Sequence, residues 1–180
     1  MKRFNTLLLT QTAIFSAISI CLVALIRVPI IPIVPFLEYD MADVPILIAT
    51  MMMSIKSGLI ILFIVSALQS FLIGGSGWVG FLMHFIASAS LIIIVGLFYK
   101  KDKSVKSEII GMVLGCIAMT LIMIPMNYIF TVNFWGMPKE VLDTLIIPGI
   151  IPFNLIKSGL NCLISFILFR FISANYKTKN

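Results

Sequence analysis

Apolar residues in this chain run together instead of alternating with polar ones. Residues 45–73 contain one charge, Lys56, and residues 78–99 and 109–137 contain none. Each run is at least as long as the ~20 residues that cross hydrocarbon as a helix. A first apolar run covers 6–26 and a last one 149–171. Between the first two runs the texture changes. Pro29, Pro32, Pro35 and Pro45 surround Phe36-Leu37-Glu38-Tyr39-Asp40-Met41-Ala42-Asp43. Each proline removes an N–H and clashes with the preceding turn, so no straight helix forms here. The stretch reads as a long loop folded back onto the protein.

The run 43–73 is long enough for one helix or two, and charge decides between them. Lys2 and Arg3 place the N-terminus in the cytoplasm, and Lys100, Lys101, Lys103 and Lys106 place the loop after Tyr99 there too. The same side at both points needs an even number of crossings. A split at Ser54-Ile55-Lys56-Ser57-Gly58 supplies it and puts Lys56 inside as well. The expected spans are therefore 6–26, 44–55, 58–73, 78–98, 109–130 and 149–171. Arg170, Lys177 and Lys179 then fall inside, whereas Arg27 and Lys139 fall outside. Glu38, Asp40, Asp43, Glu140 and Asp143 give the outer side an acidic surface.

Composition agrees. The 180 residues are 61% hydrophobic and 11% charged, against about 25% charged in a soluble domain, and mean hydropathy is +1.15. The expected fold is an all-α integral membrane protein with six transmembrane helices, both termini cytoplasmic, and a single domain over 1–180. The net charge of +6 sits in short loops and tails, so it speaks of a membrane surface and not of nucleic acid. Met1-Lys2-Arg3 before an apolar run imitates a signal peptide, but the run continues past any small-x-small site and reads as a retained helix. Cys21, Cys116 and Cys162 lie in apolar segments without CxxC spacing, so neither a disulfide framework nor a zinc site is indicated. No GxxxxGK[ST] occurs, which excludes P-loop ATP hydrolysis by this chain. No metal-ligand cluster is expected, since His84 is the one histidine.

Polar residues inside apolar runs carry the candidate chemistry. Asn154, Lys157 and Asn161 are spaced three and four apart and share one face of the last helix. A membrane-embedded charge is costly and by default marks a functional site with a partner. Lys157 lies roughly 12 Å below Gly149 at 1.5 Å per residue. Asn127 and Tyr128 come at comparable depth near the outer end of the fifth span. Asparagine offers donors and an acceptor, and lysine offers donors only. The set suits a neutral, flat heterocycle bearing carbonyls and ring N–H groups. With no Asp or Glu expected inside the spans, it argues against coupling to protons or sodium. Asn161, being deeper, reads equally well as helix–helix glue.

Two further patterns need weighing. Gly74-Gly75-Ser76-Gly77 matches the surroundings of an intramembrane serine nucleophile, with His84 as its base. Yet His84 follows on the next helix and no oxyanion donors are evident, so a plain turn before an interfacial Trp78 accounts for it. Ala13 and Ala17 form a small-xxx-small pattern that permits close helix approach.

Across essentially the whole chain these pieces resemble the riboflavin-binding, RibU-type substrate-specific subunits (S components) of energy-coupling-factor (ECF) vitamin transporters. The resemblance rests on Phe36-Leu37-Glu38-Tyr39-Asp40 through Asp43-Val44-Pro45-Ile46-Leu47-Ile48, on Gly74-Gly75-Ser76-Gly77-Trp78-Val79-Gly80, on Met126-Asn127-Tyr128, and above all on Pro152-Phe153-Asn154-Leu155-Ile156-Lys157. It implies a non-enzymatic binding subunit of the bacterial plasma membrane that captures riboflavin, or FMN, without a cofactor of its own. It implies a pocket open to the outside under the loop after the first helix. Asn154 and Lys157 would hydrogen-bond the flavin, helped by Asn127 and Tyr128, with Leu37, Tyr39, Trp78 and Phe153 as walls. Ala13 and Ala17 match the face by which such subunits dock on a transmembrane coupling subunit, itself driven by two cytoplasmic ATPases. Another vitamin, such as thiamine or pantothenate, is the rival ligand within the family. A membrane hydrolase using Ser76 and His84 is the rival outside it.

Overall fold

The computed structural model describes residues 6–177, and it is helical throughout that range apart from the connections. Lys2, Arg3 and Lys179, used above for topology, lie outside the described residues. In chain order the helices are α1 (Thr6–Leu25), α2 (Asp43–Met52), α3 (Ile55–Leu68), α4 (Gly77–Asp102), α5 (Val105–Met126), α6 (Lys139–Leu145) and α7 (Ile151–Lys177). Single π-helical turns extend three of them: Gln69–Ile73 after α3, Asn127–Thr131 after α5, and Ile146–Ile150 leading into α7. Five of these continuous elements are long and apolar enough to cross a membrane. α2, with 10 residues, is shorter; at about 15 Å it covers half of the hydrocarbon thickness.

Serine caps set the tight turns. Ser54 is extended and its side chain accepts from Ser57 N at 3.1 Å, which starts α3. Ser104 does the same for α5 through Ser107 N, also at 3.1 Å. Each cap satisfies one of the N–H groups that a helix start leaves unpaired. The α2–α3 break therefore falls at Met53-Ser54, and Lys56, Ser57 and Gly58 belong to α3 instead of to the turn. The outer connection expected over 131–147 is also helical in part, because it contains α6. Pro148 and Pro152 lack the N–H that a regular ladder needs; Pro148 lies in the π turn between α6 and α7 and Pro152 in the first turn of α7.

The α4–α5 hairpin is the most extensive helix contact. Gly111 and Gly115, one turn apart on α5, allow it: a Cβ at Gly115 would stand 2.6 Å from Leu91 Cδ1, and one at Gly111 2.8 Å from Phe98 Cβ. Small residues at this spacing let membrane helices approach by backbone. At the far end of α7, Arg170 is ion-paired with Glu108, which is fully buried at the start of α5. Asp43 is also fully buried, and Asp40 nearly so. The expectation of spans empty of acids, and of Asp40 and Asp43 on an acidic outer surface, is thus corrected. The proline-rich connection folds inward and carries both carboxylates with it. One antiparallel backbone pairing, Val28 with Tyr39, closes this connection into a loop. Arg27 pairs with Glu38 across its base and donates to Ile73 O at 3.3 Å.

Candidate functional site

The polar face of α7 meets that loop. Lys157 Nζ donates to Asp40 Oδ2 at 2.7 Å, and Gln69 Nε2, from the π turn after α3, donates to the same oxygen at 3.0 Å. Asp40 Oδ1 accepts from Ala42 N at 3.0 Å. One turn deeper, Asn161 Nδ2 donates to Asp40 O at 3.1 Å, and Asn161 Oδ1 accepts from Tyr39 OH at 3.1 Å. Asn161 therefore reads the loop. Burial pushes the Asp40 carboxyl up, but the Lys157 ammonium and the hydrogen bonds outweigh it and hold the group at about 2, below its ordinary 3.8. Asp40 is a carboxylate, and Lys157 has the partner that a membrane-embedded cation requires.

Beside Asp40, the Asp43 carboxylate has no hydrogen-bond partner among the described residues, and His84 Nε2 lies 3.7 Å from it. His84 Nδ1 lies 3.3 Å from Ser66 Oγ. Ser66, and not Ser76, is the serine bonded to the histidine, and it is fully buried.

Above this network is a cavity of about 160 Å³ between the loop, α4, α5 and the start of α7. Leu37, Phe153, Asn154 and Lys157 line it, as do Asp40, Gln69, His84 and Trp135. Asn154 Nδ2 gives one N–H to Ile150 O at 2.8 Å, leaving a second N–H for another acceptor. The remaining candidates are not among the lining residues. Asn127 is buried with both ends used, donating to Met123 O at 2.8 Å and accepting from Thr131 Oγ1 at 2.9 Å. Tyr128 donates to Asp143 Oδ1 at 2.5 Å and ties its π turn to α6. Tyr39 is held by Asn161. Trp78 packs edge-on against Phe134 and Phe130, centroids 4.8 and 6.0 Å away. Gln69 and Trp135 were not anticipated. An amide inside an apolar run and a tryptophan in an outer loop were the available signals. A larger cavity, about 550 Å³, lies elsewhere. The smaller one is the better candidate because its walls converge an amide, an ion pair and aromatic surface, the mixture that orients a small molecule. Among the described residues no His, Cys, Asp or Glu group could hold a metal. Ala13 and Ala17 stand exposed on α1.

The family described as ECF transporter, substrate-specific component, matches residues 7–169. The chain belongs to this family. This S component is 33% identical to the riboflavin transporter RibU of Staphylococcus aureus (strain TCH60), over 90% of its own length and 88% of that protein's. It is also 33% identical to RibU of Streptococcus thermophilus, covering 91% and 81% of the two chains. The riboflavin transporter FmnP of Bacillus subtilis is 28% identical over 83% of each. The solved structure of the S component of a bacterial ECF transporter superposes with a TM-score of 0.85 at 30% identity, covering 97% of this chain and 99% of that one.

Proposed function

We propose that this S component captures riboflavin for uptake across the membrane and has no catalytic role. The observation that carries the reading is its likeness, over nearly its whole length, to proteins named riboflavin transporters. The cavity chemistry supports it. Lys157 and Asn154 offer N–H groups to the carbonyls of a flat ring, and Leu37, Phe153 and Trp135 offer apolar and aromatic surface. At about 160 Å³ the cavity is smaller than the ~300–1,000 Å³ usual for drug-sized ligands. The loop over 26–42 would therefore shift outward to admit the vitamin, loosening the Lys157–Asp40 pair so that Lys157 can turn to the ligand.

The same reading gives six crossings, with α2 completed by the buried loop and both termini in the cytoplasm. The lysines at 56, 100, 101, 103 and 106 support that orientation. In a bacterial plasma membrane the exposed Ala13–Ala17 face would dock on a transmembrane coupling subunit powered by two ATPases, and the loaded subunit would tilt to release its ligand inward. Titration of purified protein with riboflavin, read by quenching of flavin fluorescence, tests the ligand. Saturable quenching by riboflavin is expected, with FMN, thiamine and pantothenate as competitors. Absence of riboflavin quenching, or stronger competition by thiamine or pantothenate, overturns the assignment.

A further inference from the structure

The larger cavity, of about 550 Å³, lies where α2 turns into α3 and the last turns of α4 pass alongside. Tyr99, one of its walls, meets Phe169 of α7 edge-on with centroids 5.3 Å apart. Phe169 stands twelve residues beyond Lys157, roughly 18 Å along the helix. The two cavities are therefore at opposite ends of α7. This one combines an apolar floor, Met51, Met52 and Met53, with three cations, Lys56, Lys100 and Lys103, and among the described residues no acidic side chain lines it. Met52 is 46% exposed, so the floor is open to the surroundings of the protein.

Lys103 has a second distinguishing feature. Its φ is 54°, the one positive value at a non-glycine position among the described residues. It closes α4 in the left-handed conformation that glycine usually supplies. Ser104 then caps α5 immediately after it. The turn thus holds a lysine where glycine would be less strained, and strain retained at one position is a pointer to function.

We propose that this cavity holds the headgroup of an anionic phospholipid. Its phosphate lies among Lys56, Lys100 and Lys103, and its first acyl carbons lie on the methionine floor. The occupant is argued from charge complementarity and from the exposed methionine floor, which a soluble anion has no use for. Each lysine near an anionic surface adds about fivefold in affinity.

The test is native mass spectrometry of the full chain released from neutral detergent, with phosphatidylglycerol or phosphatidylcholine added at defined ratios. A Lys56→Gln/Lys100→Gln variant is compared with Lys101→Gln/Lys106→Gln, which removes the same charge from side chains outside the cavity. Phosphatidylglycerol should be retained over phosphatidylcholine, on the order of thirtyfold less by the first variant, and unchanged by the second. Inorganic phosphate should not displace it. Equal retention of the two lipids, equal loss in both variants, no loss in the first, or displacement by inorganic phosphate would each overturn the proposal. Flavin binding at the far end of α7 reports that the variants are folded.

Discussion

Removing the Lys157 ammonium separates its structural role from the ligand role proposed for it. The pair with Asp40 is nearly closed to solvent, with side-chain exposures of 9% and 3%. At 2.7 Å and an effective dielectric of ~20, the attraction is on the order of 6 kcal/mol. Desolvation of both ions offsets much of it. Lys157→Met alone leaves Asp40 buried without its cation, which costs about 3–5 kcal/mol. In the double variant Lys157→Met/Asp40→Asn, the amide oxygen still accepts from Ala42 N, a turned-over Gln69 amide accepts from the new N–H, and neither member of the pair is left charged. Most of the lost stability should return. Flavin binding should not return, because no N–H stands where Lys157 Nζ stood. Thermal unfolding in detergent, followed alongside fluorescence quenching by riboflavin, measures both. If the double variant is no more stable than the single one, the pair is not the source of the cost. If it binds riboflavin as the parent does, Lys157 has no role toward the ligand.

The remaining predictions concern titration, docking and packing. The Asp40 carboxyl titrates at about 2 when folded and at 3.8 when free, so its contribution, about 2 kcal/mol, is fully present above pH ~4 and is lost as pH falls toward 2; stability measured from pH 5 to 8 should show no transition from this group, and one centred there would refute the assignment. Ala13→Trp/Ala17→Trp adds bulk on an exposed face of α1, so riboflavin binding should persist in purified protein while uptake into cells is abolished; undiminished uptake would place the docking surface elsewhere. Gly115→Leu forces side-chain atoms into Leu91, since even a Cβ comes within 2.6 Å of it, and should destabilise by about 1–3 kcal/mol or more; an unchanged melting temperature would show that α4 and α5 separate freely.

Burial could be read from composition, and the helices could be read from run length, because a bilayer admits few alternatives to a helix of about 20 residues. The shared face of Asn154, Lys157 and Asn161 followed from spacing alone, and the break near Lys56 from the distribution of charge, although Ser54 and not Lys56 turned out to mark it. Helical period says which residues face the same way and nothing about what they face. Lys157 finds its counter-charge 117 positions earlier, on a proline-rich connection that has no period to read. Chain folding also separated two asparagines that looked alike in sequence. Asn154 reaches the cavity, whereas Asn127 satisfies both its ends on its own helix and on Thr131. Asn161, ambiguous by depth, became the residue that fastens Tyr39 and the Asp40 carbonyl. Two of the five acids that seemed to lie outside, Asp40 and Asp43, were carried in with the loop, because a buried lysine is tolerable only with an anion beside it. Local patterns determined which groups were out of place in an apolar protein; only the tertiary structure decided which of them met.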